Sequence, residues 1–303
     1  PSNLLSPVSR SARSETVSRG KIVGAAIVSH HPGLFQAEEF RIQAGDGRDS
    51  DLVAGFKRVR DRIEASGADT IVLFDTHWFT TGCHLVDAGA HYEGTYISDE
   101  MPWYLHGQQY GYDGDPELAR LCAIVAEERQ VIARAIDEPT MARHYGTINI
   151  VNAMIRGQRV MSVGSCQTAA TENYLEMGEV VGEAIKRSDR QVVLLASGAL
   201  SHKFRNINTI PPNPCIYHPD NVSSDFNRES DYRVIELLQQ GNHQQILENF
   251  DSEYRRLPWE AWGAHYLQMV GAMGGANCTA KGLALSEYEN AHGTGNIHMW
   301  FDS

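Results

Sequence analysis

The sequence predicts an α/β protein, a single layered domain whose central mixed, largely parallel sheet is flanked by helices. Short β-branched apolar runs alternate with longer segments in which apolar residues recur at helical spacing, the pattern of a domain built from sheet and helix layers. Residues 21–28, 70–74 and 191–196 are short, predominantly apolar runs, as expected of strands buried on both faces. No composition break marks a linker and no internal repeat is present. One domain of residues 21–303 therefore accounts for a chain whose length would also allow two.

Taken in order, residues 1–20 are rich in Ser and Arg and have no apolar period. They lack the apolar segment of a secretory signal and read as a flexible tail or an arm that packs on a neighbouring subunit. Residues 21–28 form the first strand. Residues 51–65 carry Leu52, Val53, Phe56, Val59 and Ile63 on one face of a helix. A second buried strand covers 70–74. Residues 116–129 read as a helix with Asp115 as N-cap and Pro116 in its first turn. Strands at 131–136, 159–163 and 191–196 alternate with helices at 147–156 and 172–186. Helices follow at 224–240 and 260–273, and short strands at 282–287 and 296–301 close the chain. Between them, residues 203–223 carry Pro211, Pro212, Pro214 and Pro219 and no periodicity. A stretch of that length in a compact domain is a plain surface loop or a cover over a site.

Composition narrows the function classes. The 26 Lys and Arg against 38 Asp and Glu leave a net charge of -12, which repels phosphate backbones and disfavours general nucleic-acid binding. The five cysteines form no CxxC, so neither a zinc ribbon nor a disulfide framework is indicated. No apolar run reaches the ~18 residues of a bilayer span. The expectation is a cytoplasmic globular protein without nucleic-acid or membrane partners. The count that stands out is 13 His, a residue that binds metals and moves protons near neutral pH.

Three of these histidines share a context. His30, His77 and His202 each follow a predicted buried strand, in SHHPG, DTHW and SGALSH. Ligand crevices of open α/β sheets lie outside the carboxyl ends of the strands, so the three are expected to converge. Two imidazoles and a carboxylate on one face of a metal, with open positions opposite, suit non-haem Fe(II) oxygen chemistry. Two carboxylates compete for the third place. Glu260 sits between Trp259 and Trp262 at a predicted helix start, and Asp75 shares a strand face with His77. Asp75 could instead orient a ligand from behind. Other chemistries lack their motifs: no HExxH, P-loop or GxSxG is present. Ser197 and Ser201 lie near His202, but no Asp–His pattern accompanies them for acyl transfer.

The strings SHHPG at 29–33, ADTIVLFDTHW at 68–78 and ASGALSH at 196–202 resemble the class III extradiol ring-cleaving dioxygenases, the protocatechuate 4,5-dioxygenase β-subunit superfamily. The segments HYEGTY at 91–96, GDPEL at 114–118, YGT at 145–147 and GTG at 293–295 are similar to its homoprotocatechuate (3,4-dihydroxyphenylacetate) 2,3-dioxygenase branch. The resemblance runs from about residue 21 to the end, so it makes 21–303 a catalytic domain. It implies His30 and His77 as metal ligands, Glu260 as the carboxylate ligand and His202 as the catalytic acid and base. His31 falls at a variable position of the motif, and the residues around Glu260 depart from the family pattern. Tyr145, with His144 beside it, matches a position near the substrate hydroxyls, and Asp75 stands behind the ligands.

The implied cofactor is Fe(II), with Mn(II) as the other candidate, and O2 is the cosubstrate. The implied partner is a small aromatic diol such as 3,4-dihydroxyphenylacetate, cleaved beside a hydroxyl to a muconic semialdehyde, by an enzyme expected to form a homo-oligomer. Trp78 and Trp103 are read either as walls for a flat substrate or as ordinary core. A substrate carboxylate would call for a cation, and Arg143, His144 and Arg205 are the candidates by position. The alternatives are cleavage of a 2-aminophenol or a bicyclic diol on the same site, a Zn or Mn hydrolase with the same His/His/Glu set, and a non-catalytic subunit of the same fold.

Overall fold

The computed structural model describes residues 20–255, 257 and 259–303. The expected tail at 1–19 lies outside them. The elements run β1 (Lys21–Val28), α1 (Glu38–Ala44), α2 (Asp51–Ser66), β2 (Thr70–Thr80), β3 (His84–Asp87), β4 (His91–Ile97), β5 (His106–Asp113), α3 (Pro116–Glu128) and β6 (Ala133–Ile136). They continue with α4 (Tyr145–Met154), β7 (Arg159–Cys166), α5 (Thr171–Arg187), β8 (Gln191–Ser197), α6 (Asp225–Gln240), α7 (His243–Glu248) and α8 (Ala264–Ala272). The chain closes with β9 (Gly282–Ala284), β10 (Glu289–Ala291), β11 (Thr294–Asn296) and β12 (Met299–Phe301).

Eight strands form one mixed sheet in the order β6-β3-β7-β2-β8-β1-β12-β9. The central strands β7, β2, β8 and β1 run parallel, and antiparallel pairs join β3 to β7 and β12 to both β1 and β9. The sheet is thus the predicted α/β architecture. Side chains alternate between its faces. Val72, Phe74, Val192 and Leu194 pack on one side with α3, α5 and α8. Ile71, Leu73, Val193 and Leu195 pack on the other with α2 and α4. This double burial explains the apolar runs.

A local signal acts as expected at the start of α3. The Asp115 carboxylate accepts the Leu118 N–H at 3.0 Å and also binds Arg190 at 2.7 Å, fastening the start of α3 beside the start of β8. Ser50 caps α2. Elsewhere the structure differs from the pattern. The hairpin β4–β5 and the short β3 carry too few apolar residues to announce themselves. The predicted helix at 260–273 is broken: Ala261, Trp262 and Gly263 all have positive φ, so Glu260 stands on its own turn before α8 begins.

Candidate metal centre and cavity

Three adjacent parallel strands, β2, β8 and β1, end at one edge of the sheet, and the site is built there. His30 lies two residues beyond β1. His77 lies inside β2 rather than past its end, in an irregularity between Phe74 and Phe79 where the register with β7 shifts. Asp75 shapes this bulge: one of its carboxylate oxygens accepts the His77 N–H at 2.7 Å and the Trp78 N–H at 3.2 Å. Its other oxygen accepts the Thr147 hydroxyl at 2.6 Å. Both of its oxygens are thus engaged with β2 and α4. His30, His77 and Glu260 offer ligand atoms within 4.8 Å of one another, and Asp75 is not in that group.

The contacts of this group are specific. Glu260 Oε1 faces His30 Nε2 at 3.2 Å and His77 Nε2 at 3.0 Å. The same oxygen is 2.7 Å from the Thr76 hydroxyl, and Oε2 accepts the Ala199 N–H at 2.6 Å. Burial alone would raise the Glu260 carboxyl, but His30, His202 and His77 hold it well below the ordinary carboxylate range. Burial likewise disfavours a charged His77, but Glu100, 3.8 Å from its Nδ1, and Glu260 push it up to about 10. A carboxylate this deeply buried calls for positive charge beside it.

The donor set fits a divalent transition metal. Ser197 Oγ lies 2.7 Å from the Gly146 carbonyl and 2.7 Å from His30 Nδ1. A carbonyl only accepts, so the hydroxyl proton is directed to Gly146 and Ser197 accepts the proton on His30 Nδ1. With its one proton on Nδ1, an uncharged His30 ring would carry its lone pair on Nε2, aimed at Glu260. A ring nitrogen with a free lone pair facing a carboxylate oxygen is a cation site, and a hydrogen bond on the far nitrogen is the usual orienting device. The Asn149 amide adds a bond to the His30 carbonyl at 2.7 Å.

His202 stands opposite, its Nε2 4.0 Å from Glu260 Oε2, with the ring edge-on to Phe204. Its backbone is held by a buried network. Asp231 accepts the Ser201 N–H at 3.0 Å, the Ser201 hydroxyl at 2.5 Å and the Tyr288 hydroxyl at 2.5 Å. Ser201 also bridges Trp259. The residues just before His202 and Glu260 are therefore paired to each other. Neither Ser197 nor Ser201 carries nucleophile geometry; both are structural anchors for histidines.

A cavity of 970 Å³ opens over this group. Tyr145 lines it, its ring 3.9 Å from that of His77, and burial keeps its hydroxyl protonated by raising its pKa. The other expected substrate contacts do not line it. Trp78 is buried over Gly164. Trp103 is 76% exposed, neither wall nor core. His144 precedes α4, away from the wall, and burial lowers its pKa. Arg143 is committed to Asp87 and stacks 4.2 Å over the Tyr92 ring. His31 does line the cavity, but burial and His30 push it down to about 3, and it lies outside the ligand group. The sequence offered no signal for Thr76, Ala199, Glu100 or Asp231, whose roles depend on partners distant in the chain.

Comparison with known proteins places this sheet and site in a class. Residues 24–301 match the family described as the catalytic LigB subunit of aromatic ring-opening dioxygenase, and the chain belongs to that family of class III extradiol dioxygenases, which are oxidoreductases. It is 29% identical over 271 residues to 3,4-dihydroxyphenylacetate 2,3-dioxygenase of Escherichia coli, covering 88% of this chain and 95% of that one. It is 27% identical to the 2-aminophenol 1,6-dioxygenase β subunit of a Pseudomonas species, covering 92% and 93%. The α subunit of that enzyme is 22% identical, covering 92% and 96%. A crystal structure of an uncharacterized protein from Escherichia coli K12 shares the fold, with a TM-score of 0.60 at 14% identity over 92% of this chain and 99% of that one. No helix among the described residues is long and apolar enough to cross a membrane.

Proposed function

We propose that the chain is a non-haem Fe(II)-dependent extradiol dioxygenase. It opens a catechol beside a hydroxyl, puts both atoms of O2 into the product and releases a muconic semialdehyde. The observation that carries this reading is the convergence of His30 Nε2, His77 Nε2 and Glu260 Oε1 at the floor of a cavity that His202 and Tyr145 also line. The first three residues would hold the iron, and iron bound there supplies a common point of attachment and electron transfer between catechol and O2.

The chain's own residues do the rest. Ser197 presents the free lone pair of His30, and Thr76 and Ala199 orient the two oxygens of Glu260. His202 takes a hydroxyl proton from the substrate at Nε2 and returns a proton to the reacting oxygens as the ring opens, since an imidazole serves both directions near neutral pH. Tyr145, held protonated, donates a hydrogen bond to substrate oxygen. The depth of the triad keeps bulk water from competing.

Anaerobic loading with Fe(II), Mn(II) or Zn(II), followed by metal analysis and a spectrophotometric screen of catechols and 2-aminophenols in air, tests the reading. Expected are a yellow ring-opened product from catechols with Fe(II), O2 consumption in step with it, and loss of stoichiometric metal in His30→Ala and His77→Ala. Absence of O2 uptake with every diol tested would overturn it, and preferred turnover of aminophenols would move the substrate class. The family assignment speaks against the hydrolase reading.

A further inference from the structure

We infer that the outer part of the cavity is a second recognition site, in which Arg205 pairs with an acidic group carried on an apolar extension of the aromatic substrate. This rests on the ring-cleaving reading of the inner site. Three independent observations point to it.

The cavity is far larger than a catechol. Its 970 Å³ lies at the upper end of the ~300–1,000 Å³ that accommodates drug-sized ligands, and a lone ring leaves most of it unfilled. The lining outside the histidines carries an apolar set, Phe40, Phe79, Phe204, Ile207 and Ile216, interspersed with Asn, Thr and Tyr side chains. Phe204 is 60% and Ile207 95% exposed, side chains that gain by burial against an apolar ligand.

Arg205 is the sole Lys or Arg of that lining among the described residues. Its Nη2 is buried without a hydrogen-bond partner, and it makes no ion pair with any described carboxylate. The two cavity carboxylates are otherwise engaged, Glu260 by the histidines and Glu100 beside His77. A guanidinium is always charged and matches carboxylate geometry, so a cavity-lining Arg without a carboxylate partner is the counter-charge available to an anion entering there.

Arg205 is also held in place. Its backbone N–H donates to the His292 carbonyl at 3.1 Å. Gly293, with φ +102°, lies against the same backbone, where a Cβ would come within 2.7 Å of the Arg205 nitrogen. The guanidinium thus hangs from a fixed point three residues past His202, and a charged subsite in a strongly acidic protein gains selectivity from being local.

The test uses 3,4-dihydroxyphenylacetate, its methyl ester, and homologous catechol acids with longer aliphatic spacers, on the wild type, Arg205→Gln and Arg205→Lys. Anaerobic equilibrium binding and aerobic kcat/KM are both measured. Expected are an acid-over-ester preference of ~10-fold or more in the wild type, the scale of a charge-assisted hydrogen bond, its collapse towards unity in Arg205→Gln through KM, and partial retention in Arg205→Lys. The longer acids should bind more tightly than the shortest. Equal losses for acid and ester in Arg205→Gln, no acid preference in the wild type, or weaker binding with each added carbon would overturn the inference. Acid-selective binding without ring opening of any diol would support the Arg205 site and overturn the ring-cleaving reading.

Discussion

At Ser197 the destination of one hydroxyl proton determines which nitrogen of His30 a cation meets. Removing that hydroxyl in Ser197→Ala leaves His30 Nδ1 without its acceptor, and the ring loses both tautomer and orientation. Metal affinity is expected to fall ~10–100-fold, the usual effect of deleting an orienting partner, with the fold intact by circular dichroism. In the proposed function His202 contributes chemistry rather than binding. His202→Phe is expected to retain iron and bind catechol but turn over at least ~100-fold more slowly; single-turnover kinetics separates the steps, and near wild-type rates would remove the role. His30, His77 and His202 were legible because each follows a recognisable apolar run. Ser197 was not, because its partner His30 lies 167 residues away.

Among the elements, the bulge of β2 and the first turn of α4 are built around each other. Gly146 brings the α4 backbone so close to Asp75 that a Cβ would lie 2.3 Å from its carboxylate oxygen. Gly146→Ala is therefore expected to destabilise the protein by about 1–3 kcal/mol, the scale of overpacking, measured by urea denaturation. The opposite change is expected on the turn that presents Glu260. Ala261 holds φ +47°, a left-handed conformation that costs a non-glycine residue ~1–2 kcal/mol. Ala261→Gly should raise stability by about 1 kcal/mol, net of the added freedom of the unfolded chain, and loosen the metal site. The sequence pattern here reads as one continuous helix from 260, since periodicity cannot register a local reversal of φ. The cap of α3 was legible because its signal lies within one turn.

Over the whole molecule, histidines that bind no metal shape the response to acid. His298 accepts the Ser29 N–H on Nδ1 and reaches the Leu52 carbonyl from Nε2, an arrangement that only the neutral ring satisfies. Burial lowers His298 and His84 from 6.5 to about 4. With folded values below unfolded ones, the stability they carry is full above pH 6.5 and is lost as pH falls towards 4, ~3 kcal/mol each. Asp231 acts in the other direction. Burial raises it from 3.8 to about 6, so its contribution is present below pH 4 and lost as pH rises through 6. Urea midpoints across pH 4–7 should show acid-induced loss that is shallower in His298→Gln and steeper in Asp231→Asn. Identical slopes in all three proteins would refute the assignment.

What the sequence determined by itself is local or periodic: the alternation of strand and helix, the doubly buried sheet centre, the capped start of α3 and the placement of three histidines near one edge. The tertiary structure brought Glu260, and not Asp75, into the group with His30 and His77, tied Ser197 to His30 and Asp231 to the residue before His202, and placed Arg205 rather than Arg143 on the cavity wall. The physical reason is the range of the interaction. Period and capping act over one or two turns of chain. The charge and hydrogen-bond partners of a buried site are brought together only by strand order, from positions 30, 77, 202 and 260.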